Sequence, residues 1–432
     1  MYYAIITGLI VITLFCQPVS AGGQGSDANT ESDRSSVQDG ETPEYPEKKT
    51  DRSKIEWLLA SPGMLLELPV DLTLRGVKAT VGWAEKNSLC LRVNDFLTFD
   101  DGRMGLRVRY SAREGGGPVF FARDIMGTGS KFTLKTTAGL EWRQNYSISL
   151  KRLTLGAEDI FVNFSASYFN YPDEYFFGTG PGTTESDETS YRNESVFALG
   201  DLVYTPADNL DIFAGACIER FNITDGTDDD CPATSDVYDE TNINGLESGV
   251  VLMSWSTGFL YDTTRKRPNG SMVGISFGAT VERGDNRYGF WAGEIELRQK
   301  IHLFYGRYLM LKVLSRGTEP FSGKEVPFYK LSEISERETV RGYVRGRFRD
   351  RYLFCSSLEY HFPIWSHGPS GLETFVFADA GQVAHSLPED IRSEDVVFGF
   401  GGGMVFSVYD VEVIRIVAGV SDEGLRMYLI WD

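Results

Sequence analysis

Apolar and polar side chains alternate along much of the chain, most clearly from Phe132 to Arg143. One face of this stretch carries Phe132, Leu134, Thr136, Ala138, Leu140 and Trp142, and the other carries Thr133, Lys135, Thr137, Gly139, Glu141 and Arg143. A period of two indicates a β-strand, because successive side chains of a strand point to opposite faces of the sheet. Similar alternation recurs at residues 104–113, 162–168 and 294–300. The pattern therefore predicts an all-β protein.

The predicted strands are long, and their polar faces are rich in charge. A tilted strand needs about 9–11 residues to cross a bilayer, whereas strands of soluble proteins average about 5–6 residues. A soluble β-sandwich also alternates, but a polar lumen with a lipid-facing exterior explains both the length and the charge. We therefore favour a transmembrane antiparallel β-barrel over the sandwich. The lipid-facing set is expected to include Leu106, Val108, Leu134 and Leu140, and the lumenal set Arg107, Arg109, Lys135 and Glu141.

Turn residues such as Asp101-Gly102 and Thr205-Pro206 separate the strands. The barrel is expected to occupy residues 55–432. Dividing these roughly 370 residues by about 22–24 per strand and loop predicts sixteen strands, an even number like those of bacterial outer-membrane barrels. The last strand would present Leu425, Met427, Leu429 and Trp431 on one face, one residue before the end of the sequence.

The beginning of the chain is typical of a secretory signal. Residues 4–16 form a short apolar core, and Val19-Ser20-Ala21 offers the small residues of a cleavage site, although the start carries no lysine or arginine. Residues 22–54 are polar and charged and cannot bury enough apolar surface to fold. We therefore expect a signal peptide at 1–21, a disordered periplasmic linker at 22–54 and the barrel at 55–432.

Composition narrows the classes of function. The net charge of −19 argues against a nucleic-acid partner, which would need a basic surface. There is no Ser/His/Asp grouping with recognisable spacing, so the sequence predicts no catalytic residue and no enzyme. Because the four histidines are scattered, neither a metal site nor a cofactor is expected. The cysteines that remain after cleavage are Cys90, Cys217, Cys231 and Cys355. Cys217 and Cys231 could form a disulfide in an oxidising periplasm or stay as thiols, and the sequence leaves both open.

Five motifs occur in a specific order. The segment YPDEYFFGTGPG spans residues 171–182, and GFLYDTTRKRPNGS spans 258–271. VRGY at 340–343 is followed by VRGRFRDRY, then by LEYHFP at 358–363 and FVFADAG at 375–381. This order resembles the bacterial surface-antigen family, the BamA/TamA-like outer-membrane barrels. The resemblance covers about residues 90–432, and it departs from the family at His361, where an arginine is usual.

The resemblance implies a loop that folds back into the barrel. Its arginine, Arg341, would pair with Glu359 and Asp379 on the wall, and Gly342, Tyr343 and Gly381 belong to the same motifs. A fork between arginine and carboxylate fixes both distance and orientation, and Gly342 would let the backbone turn tightly against the wall. The alternative is that these residues are solvated charges in a wide pore.

The resemblance also implies a function at the bacterial cell outer membrane. There the protein would help to insert or translocate other outer-membrane or surface proteins. Its partners would be outer-membrane lipid and lipopolysaccharide, together with client proteins or a separate periplasmic partner. The best-known members carry POTRA domains before the barrel, whereas we expect only the linker here. A passive channel or a structural surface barrel without insertase activity is the alternative function.

Overall fold

The computed structural model describes residues 98–431, except for 101, 112, 126–128, 240, 265–268, 336–338, 368–369 and 409–410. The expected signal peptide (1–21), the linker (22–54), Cys90 and the first part of the expected barrel (55–97) lie outside the described residues. Within the described part of the chain, no helix has the length and apolar character needed to cross a membrane.

Antiparallel β-strands make up most of the described chain. Seventeen of its nineteen strands form one sheet: β1 (Thr98–Phe99), β2 (Met104–Ser111), β3 (Gly115–Arg123), β4 (Lys131–Ala138), β5 (Gln144–Leu155), β6 (Ala157–Phe176), β7 (Thr189–Ala207), β8 (Leu210–Asp225), β9 (Ser248–Asp262), β10 (Gly270–Glu282), β11 (Gly289–His302), β12 (Tyr308–Pro320), β15 (Tyr352–His367), β16 (Ser370–Ala384), β17 (Val397–Val408), β18 (Val411–Ser421) and β19 (Gly424–Trp431). The strands β13 (Ser332–Glu333) and β14 (Arg349–Asp350) pair separately, and α1 (Thr234–Val237) is a single helical turn.

Consecutive long strands pair with each other, and β12 pairs directly with β15. The last strand, β19, pairs with β2 through two residue pairs, Tyr110 with Trp431 and Ser111 with Ile430. By contrast, β2 pairs with β3 along its whole length. We call the β2–β19 pairing the seam. The strands nearest to it are short, since β2, β4 and β19 have 8 residues each, whereas β6 has 20 and β7 has 19.

The two faces of the sheet follow the predicted alternation. Leu106, Val108 and Leu134 are 39%, 45% and 42% exposed on the outer face. On the inner face, the Lys135 ammonium lies 3.0 Å from a carboxylate oxygen of Glu114. Inner side chains therefore find partners within the protein, while the outer side chains form an apolar surface.

Two sequence predictions about turns are wrong. The strand predicted at 132–143 ends at Ala138, and the chain reverses through Leu140–Trp142. Glu141 and Trp142 have φ angles of +58° and +62° there, which a continuing strand does not allow. Leu140 and Glu141 are consequently exposed in a hairpin turn, and Glu141 does not face inward as expected.

The second wrong turn was placed at Thr205-Pro206. These residues lie within β7, where the register with β8 shifts between Tyr204 and Ala207. Proline has no N–H to donate to the sheet, so it is tolerated at such a bulge without ending the strand.

The cysteines within the described residues carry no disulfide. Cys217, Cys231 and Cys355 are all free thiols. The disulfide that the sequence left open between Cys217 and Cys231 is therefore not formed in this structure.

Substitutions on the two faces of the sheet should differ in their effect on stability, because only the outer face is expected to contact lipid. Ile295, in the middle of β11, is 46% exposed. If this face contacts lipid, Ile295→Arg should lower the free energy of unfolding by about 2–4 kcal/mol. The neighbouring inward substitution Glu296→Gln breaks only partly exposed ion pairs and should cost less than about 1 kcal/mol. Urea unfolding in lipid vesicles would measure both, and equal losses would contradict the assignment of the faces.

Candidate functional site

The connection between β12 and β15 packs against the inner face of the sheet. We call residues 321–351 the inward loop. Three of its apolar side chains, Val340, Tyr343 and Phe348, are at most 5% exposed. They form one cluster with wall residues such as Leu353 and Val383. Because this apolar contact fixes the loop, the polar groups beside it are held in defined positions.

Arg341 of the inward loop is bound by both predicted carboxylates. Its Nε and Nη2 donate to the two oxygens of Asp379, at 2.7 and 2.6 Å, and its backbone N–H donates to the same carboxylate at 3.0 Å. Its Nη1 donates to Glu359, and Nη2 also donates to the hydroxyl of Ser357 at 2.8 Å. The guanidinium carbon lies 3.5 Å from the centre of the Phe377 ring. All three guanidinium nitrogens therefore have partners.

Burial makes this arrangement sensitive to the loss of any member. Arg341, Glu359 and Asp379 are 6%, 7% and 1% exposed. Burial alone would lower the pKa of Arg341, but the hydrogen bonds to Asp379 and the charge of Glu359 outweigh it and raise the pKa. The guanidinium therefore stays charged. Removing one partner from a buried ion pair typically costs about 3–5 kcal/mol, because the remaining charge is left without compensation.

Glycines on the wall make room for the loop backbone. A Cβ atom at Gly399 of β17 would lie 2.0 Å from the carbonyl oxygen of Arg341. At Gly381 of β16 it would lie 2.5 Å from a methyl carbon of Val340. In the loop, Gly342 has φ +111°, a conformation that side chains other than glycine rarely adopt. The loop thus lies where the wall has no side chain.

Two further glycines of β17 accommodate aromatic rings. Cβ atoms at Gly401 and Gly403 would lie 2.7 and 2.6 Å from the rings of Phe377 and Phe375. Phe377 is the ring beneath Arg341, so the glycines of β17 shape the floor of the site as well as its side.

His361 of β15 holds Glu359 from the side opposite Arg341. Its Nε2 lies 2.7 Å from Glu359, and its Nδ1 lies 2.6 Å from Glu373 of β16. The hydroxyl of Tyr308 donates to Glu373 at 2.8 Å, and the Tyr308 ring stacks on the imidazole with centroids 4.4 Å apart. The imidazole is 1% exposed. Although a histidine departs from the family's usual arginine, it still bridges two carboxylates.

Two other side chains of the inward loop reach the turn between β18 and β19. The hydroxyl of Tyr343 donates to Asp422 at 2.5 Å, and Nε of Arg347 donates to Glu423 at 2.5 Å. Burial and the hydrogen bond to Asp422 raise the pKa of Tyr343, so the phenol keeps the proton that it donates. Arg347 lies outside the motifs that predicted the site. The alternation of Arg345, Arg347 and Arg349 could have indicated its role.

The structure brings the predicted loop and wall residues together. Arg341, Gly342 and Tyr343 lie on the inward loop, Glu359 on β15, and Asp379 and Gly381 on β16. Their contacts describe an electrostatic and steric anchor. Among the described residues, no group of three or more histidine, cysteine, aspartate or glutamate side chains could hold a metal ion.

Comparisons with known proteins agree on one fold. The sequence profile of the Omp85 superfamily domain matches residues 124–420. No curated protein sequence is detectably similar to the chain. The structure is similar to BamA from Haemophilus ducreyi lacking POTRA domains 1–3, with a TM-score of 0.54, 15% identity, and coverage of 75% of this chain and 68% of that chain. It is also similar to CdiB from Escherichia coli, with a TM-score of 0.53, 10% identity, and coverage of 74% and 60%.

Proposed function

The chain belongs to the Omp85 superfamily of bacterial outer-membrane transporters and insertases, and on that premise we propose that it inserts or translocates other outer-membrane or surface proteins. Its surroundings would be outer-membrane lipid and lipopolysaccharide. The proteins that it acts on would be client outer-membrane or surface proteins, delivered directly or by a separate periplasmic partner. No enzymatic step is part of this proposal.

In this proposal the sheet closes into a barrel of sixteen strands. Sixteen of the strands have eight or more residues, namely β2–β12 and β15–β19. They pair in sequence, and the pairing of β19 with β2 supports closure. The barrel would begin within the expected region 55–432, after a signal peptide (1–21) and a linker (22–54).

Loop lengths support an orientation in the membrane. At one end of the sheet the connections are short, such as Gly156 and Asp208-Asn209. At the other end they are long, as at 177–188, 226–247 and 321–351. Outer-membrane barrels have short periplasmic turns and longer extracellular loops. The inward loop would therefore enter the lumen from the cell surface.

The observation that carries the proposed function is the seam. Two residue pairs join β2 and β19, so few hydrogen bonds would have to break to separate these strands. Leu425 and Met427 of β19 are 63% and 67% exposed, compared with 37% for Ile416 of the neighbouring β18. An exposed strand edge is a template on which a client strand can pair. We propose that clients enter the membrane at the seam.

Strand length supports the same location. A tilted strand needs about 9–11 residues to cross the hydrocarbon core, whereas β2, β4 and β19 have 8 each. The bilayer beside the seam would thin to match these strands. A thinner hydrocarbon layer lowers the free-energy barrier to inserting backbone groups that have not yet formed hydrogen bonds with a neighbouring strand.

Locking the seam should stop this activity. In a chain whose other cysteines are replaced by serine, we would introduce Tyr110→Cys and Trp431→Cys, which face each other across the seam. The control places cysteines at Leu358 and Ala378, which pair between β15 and β16. With the variant as the only copy, oxidation of the seam pair should reduce the abundance of other outer-membrane proteins. Reductant should restore it.

The control pair should leave client abundance unchanged when oxidised. Full abundance with the seam cross-linked would contradict the proposal. Steady ion conductance, together with no change in other outer-membrane proteins on depletion, would favour the passive channel instead. A cavity of about 490 Å³ lies beside Glu174, Arg345 and Arg349.

A further inference from the structure

The inward loop grips the turn that begins the seam strand. Asp422 and Glu423 form the connection between β18 and β19 and bind Tyr343 and Arg347 of the loop. The hydroxyl of Ser421 also donates to the carbonyl of Gly342 at 2.9 Å. Three contacts therefore join one short stretch of the loop to one turn.

The ion pair among these contacts is buried, although Asp422, the partner of Tyr343, is exposed. The Tyr343 residue is 1% exposed, and the side chains of Arg347 and Glu423 are 4% and 9% exposed. A Cβ atom at Gly419 of β18 would lie 2.9 Å from the backbone nitrogen of Gly342. The loop backbone thus also touches the strand that leads into the turn. Solvent screening, which makes exposed pairs weak, is therefore reduced at the pair of Arg347 and Glu423.

Arg347 connects this turn to a loop between two strands far from β19 in the sheet. Its Nη1 donates to the hydroxyl of Thr183 at 2.9 Å, and its Nη2 donates to the carbonyl of the same residue at 2.7 Å. Thr183 lies in the connection between β6 and β7, the two longest strands. Nearby, the Gly180 N–H donates to the Arg349 carbonyl at 2.9 Å. The guanidinium of Arg347 therefore connects the turn before β19 to the loop between the two longest strands, β6 and β7.

We infer that Tyr343 and Arg347 are positioning residues that hold the N-terminal end of β19 in place when no client is present. We call these contacts the latch. This inference rests on the proposed function, because a latch on β19 is useful only if the seam opens. The turn immediately precedes β19, which pairs with β2 through two residue pairs. Displacement of the loop would remove these contacts together and free the start of β19. Loop position and seam opening are thereby coupled through residues 421–423.

Hydrogen exchange of the β19 backbone measures the latch directly. The variants are Tyr343→Phe and Glu423→Ala, tested separately in the full-length chain in lipid nanodiscs. Each removes one partner, and the loss of a net contribution of about 1 kcal/mol corresponds to roughly fivefold more frequent local opening. Amides in β19 should therefore exchange about fivefold faster, while those in β15 should keep their rates.

Glu333→Ala is the matched control. Glu333 accepts a hydrogen bond from Arg349, and its carboxylate lies 3.0 Å from Nη2 of Arg345, so its removal also breaks ion pairs of the inward loop. Its ion-pair partners within the described residues are Arg345 and Arg349 rather than residues 421–423, so β19 should exchange at the wild-type rate. Heat-modifiable migration on a gel would verify that each variant is folded. If one latch variant does not fold, the other still provides the test.

Two results would overturn the latch. One is an unchanged β19 exchange rate in both latch variants. The other is equal acceleration in Glu333→Ala, which would mean that any loosening of the loop has the same effect. Exchange is measured without clients, so it is independent of the seam-locking assay. A harmless seam lock combined with faster β19 exchange would refute the proposed function and leave the contact itself established.

Discussion

Replacing Arg341 with lysine should undock the inward loop and abolish the proposed activity, while the strands still assemble. Lysine keeps the positive charge but cannot donate from three planar nitrogens to Asp379, Glu359 and Ser357 at once. The buried carboxylates would lose several charge-assisted hydrogen bonds, and each one left unmade costs loop docking about 1–3 kcal/mol. Strand hydrogen bonds hold the sheet independently of the loop. Protease cleavage within residues 321–351 and the abundance of client proteins would measure the two effects.

Arg298→Lys is the control for this experiment. Arg298 also pairs with a carboxylate, Glu296 at 2.7 Å, but its side chain is 39% exposed. Exposed pairs contribute at most about 1 kcal/mol, so this variant should retain its protease resistance and its activity. Normal activity in Arg341→Lys would show that charge alone suffices at this position. The guanidinium fork would then not be required for the proposed activity.

Gly399→Ala should displace the loop without changing any charged residue. The added methyl group would lie 2.0 Å from the Arg341 carbonyl oxygen, far inside a van der Waals contact. Overpacking of this kind typically costs about 1–3 kcal/mol, and here it acts on the loop backbone. We expect faster proteolysis of the inward loop and reduced client abundance, as for Arg341→Lys. The matched control is Gly200→Ala in β7, where a Cβ atom would have nothing within 4 Å.

The glycine pair separates two explanations for any loss of function. If Gly200→Ala impaired the protein as much as Gly399→Ala, the common cause would be the loss of glycine from a strand. If Gly399→Ala left the loop resistant to protease, the close approach of loop and wall would be relaxed at little cost. Either result would show that loop docking does not depend on the absence of a side chain at Gly399.

Alternation predicted the parts of the fold that depend on one strand at a time. Leu134 lies on the outer face and Lys135 on the inner face because the side-chain period of a strand is fixed by its geometry. The hairpin at Leu140–Trp142 was missed because its left-handed residues are glutamate and tryptophan, which do not favour that conformation. Its position depends on where β5 pairs with β4, and a single strand does not contain that information.

The site was predictable only where a motif marked it. Arg341, Glu359 and Asp379 were paired through a family resemblance, since 38 residues separate Arg341 from Asp379 along the chain. The glycines at 399, 401 and 403 alternate within a strand, which is a recognisable sign of close approach by other atoms. The contacts of Arg347 with Thr183 and Glu423 join segments 164 and 76 residues apart. No local pattern specifies such distant partners.

The wall partners of Arg341, Gly342 and Tyr343 all follow them in the chain, from Ser357 to Asp422. A polypeptide that crosses the inner membrane with its N-terminus first would deliver the loop to the periplasm before any of these partners. The loop would then have to wait until the last hairpin, β18–β19, is in place. Its docking is therefore a late event in the assembly of the protein. The loop docks only after β18 and β19 are in place. The contacts that complete assembly are therefore the same contacts that position the loop for function.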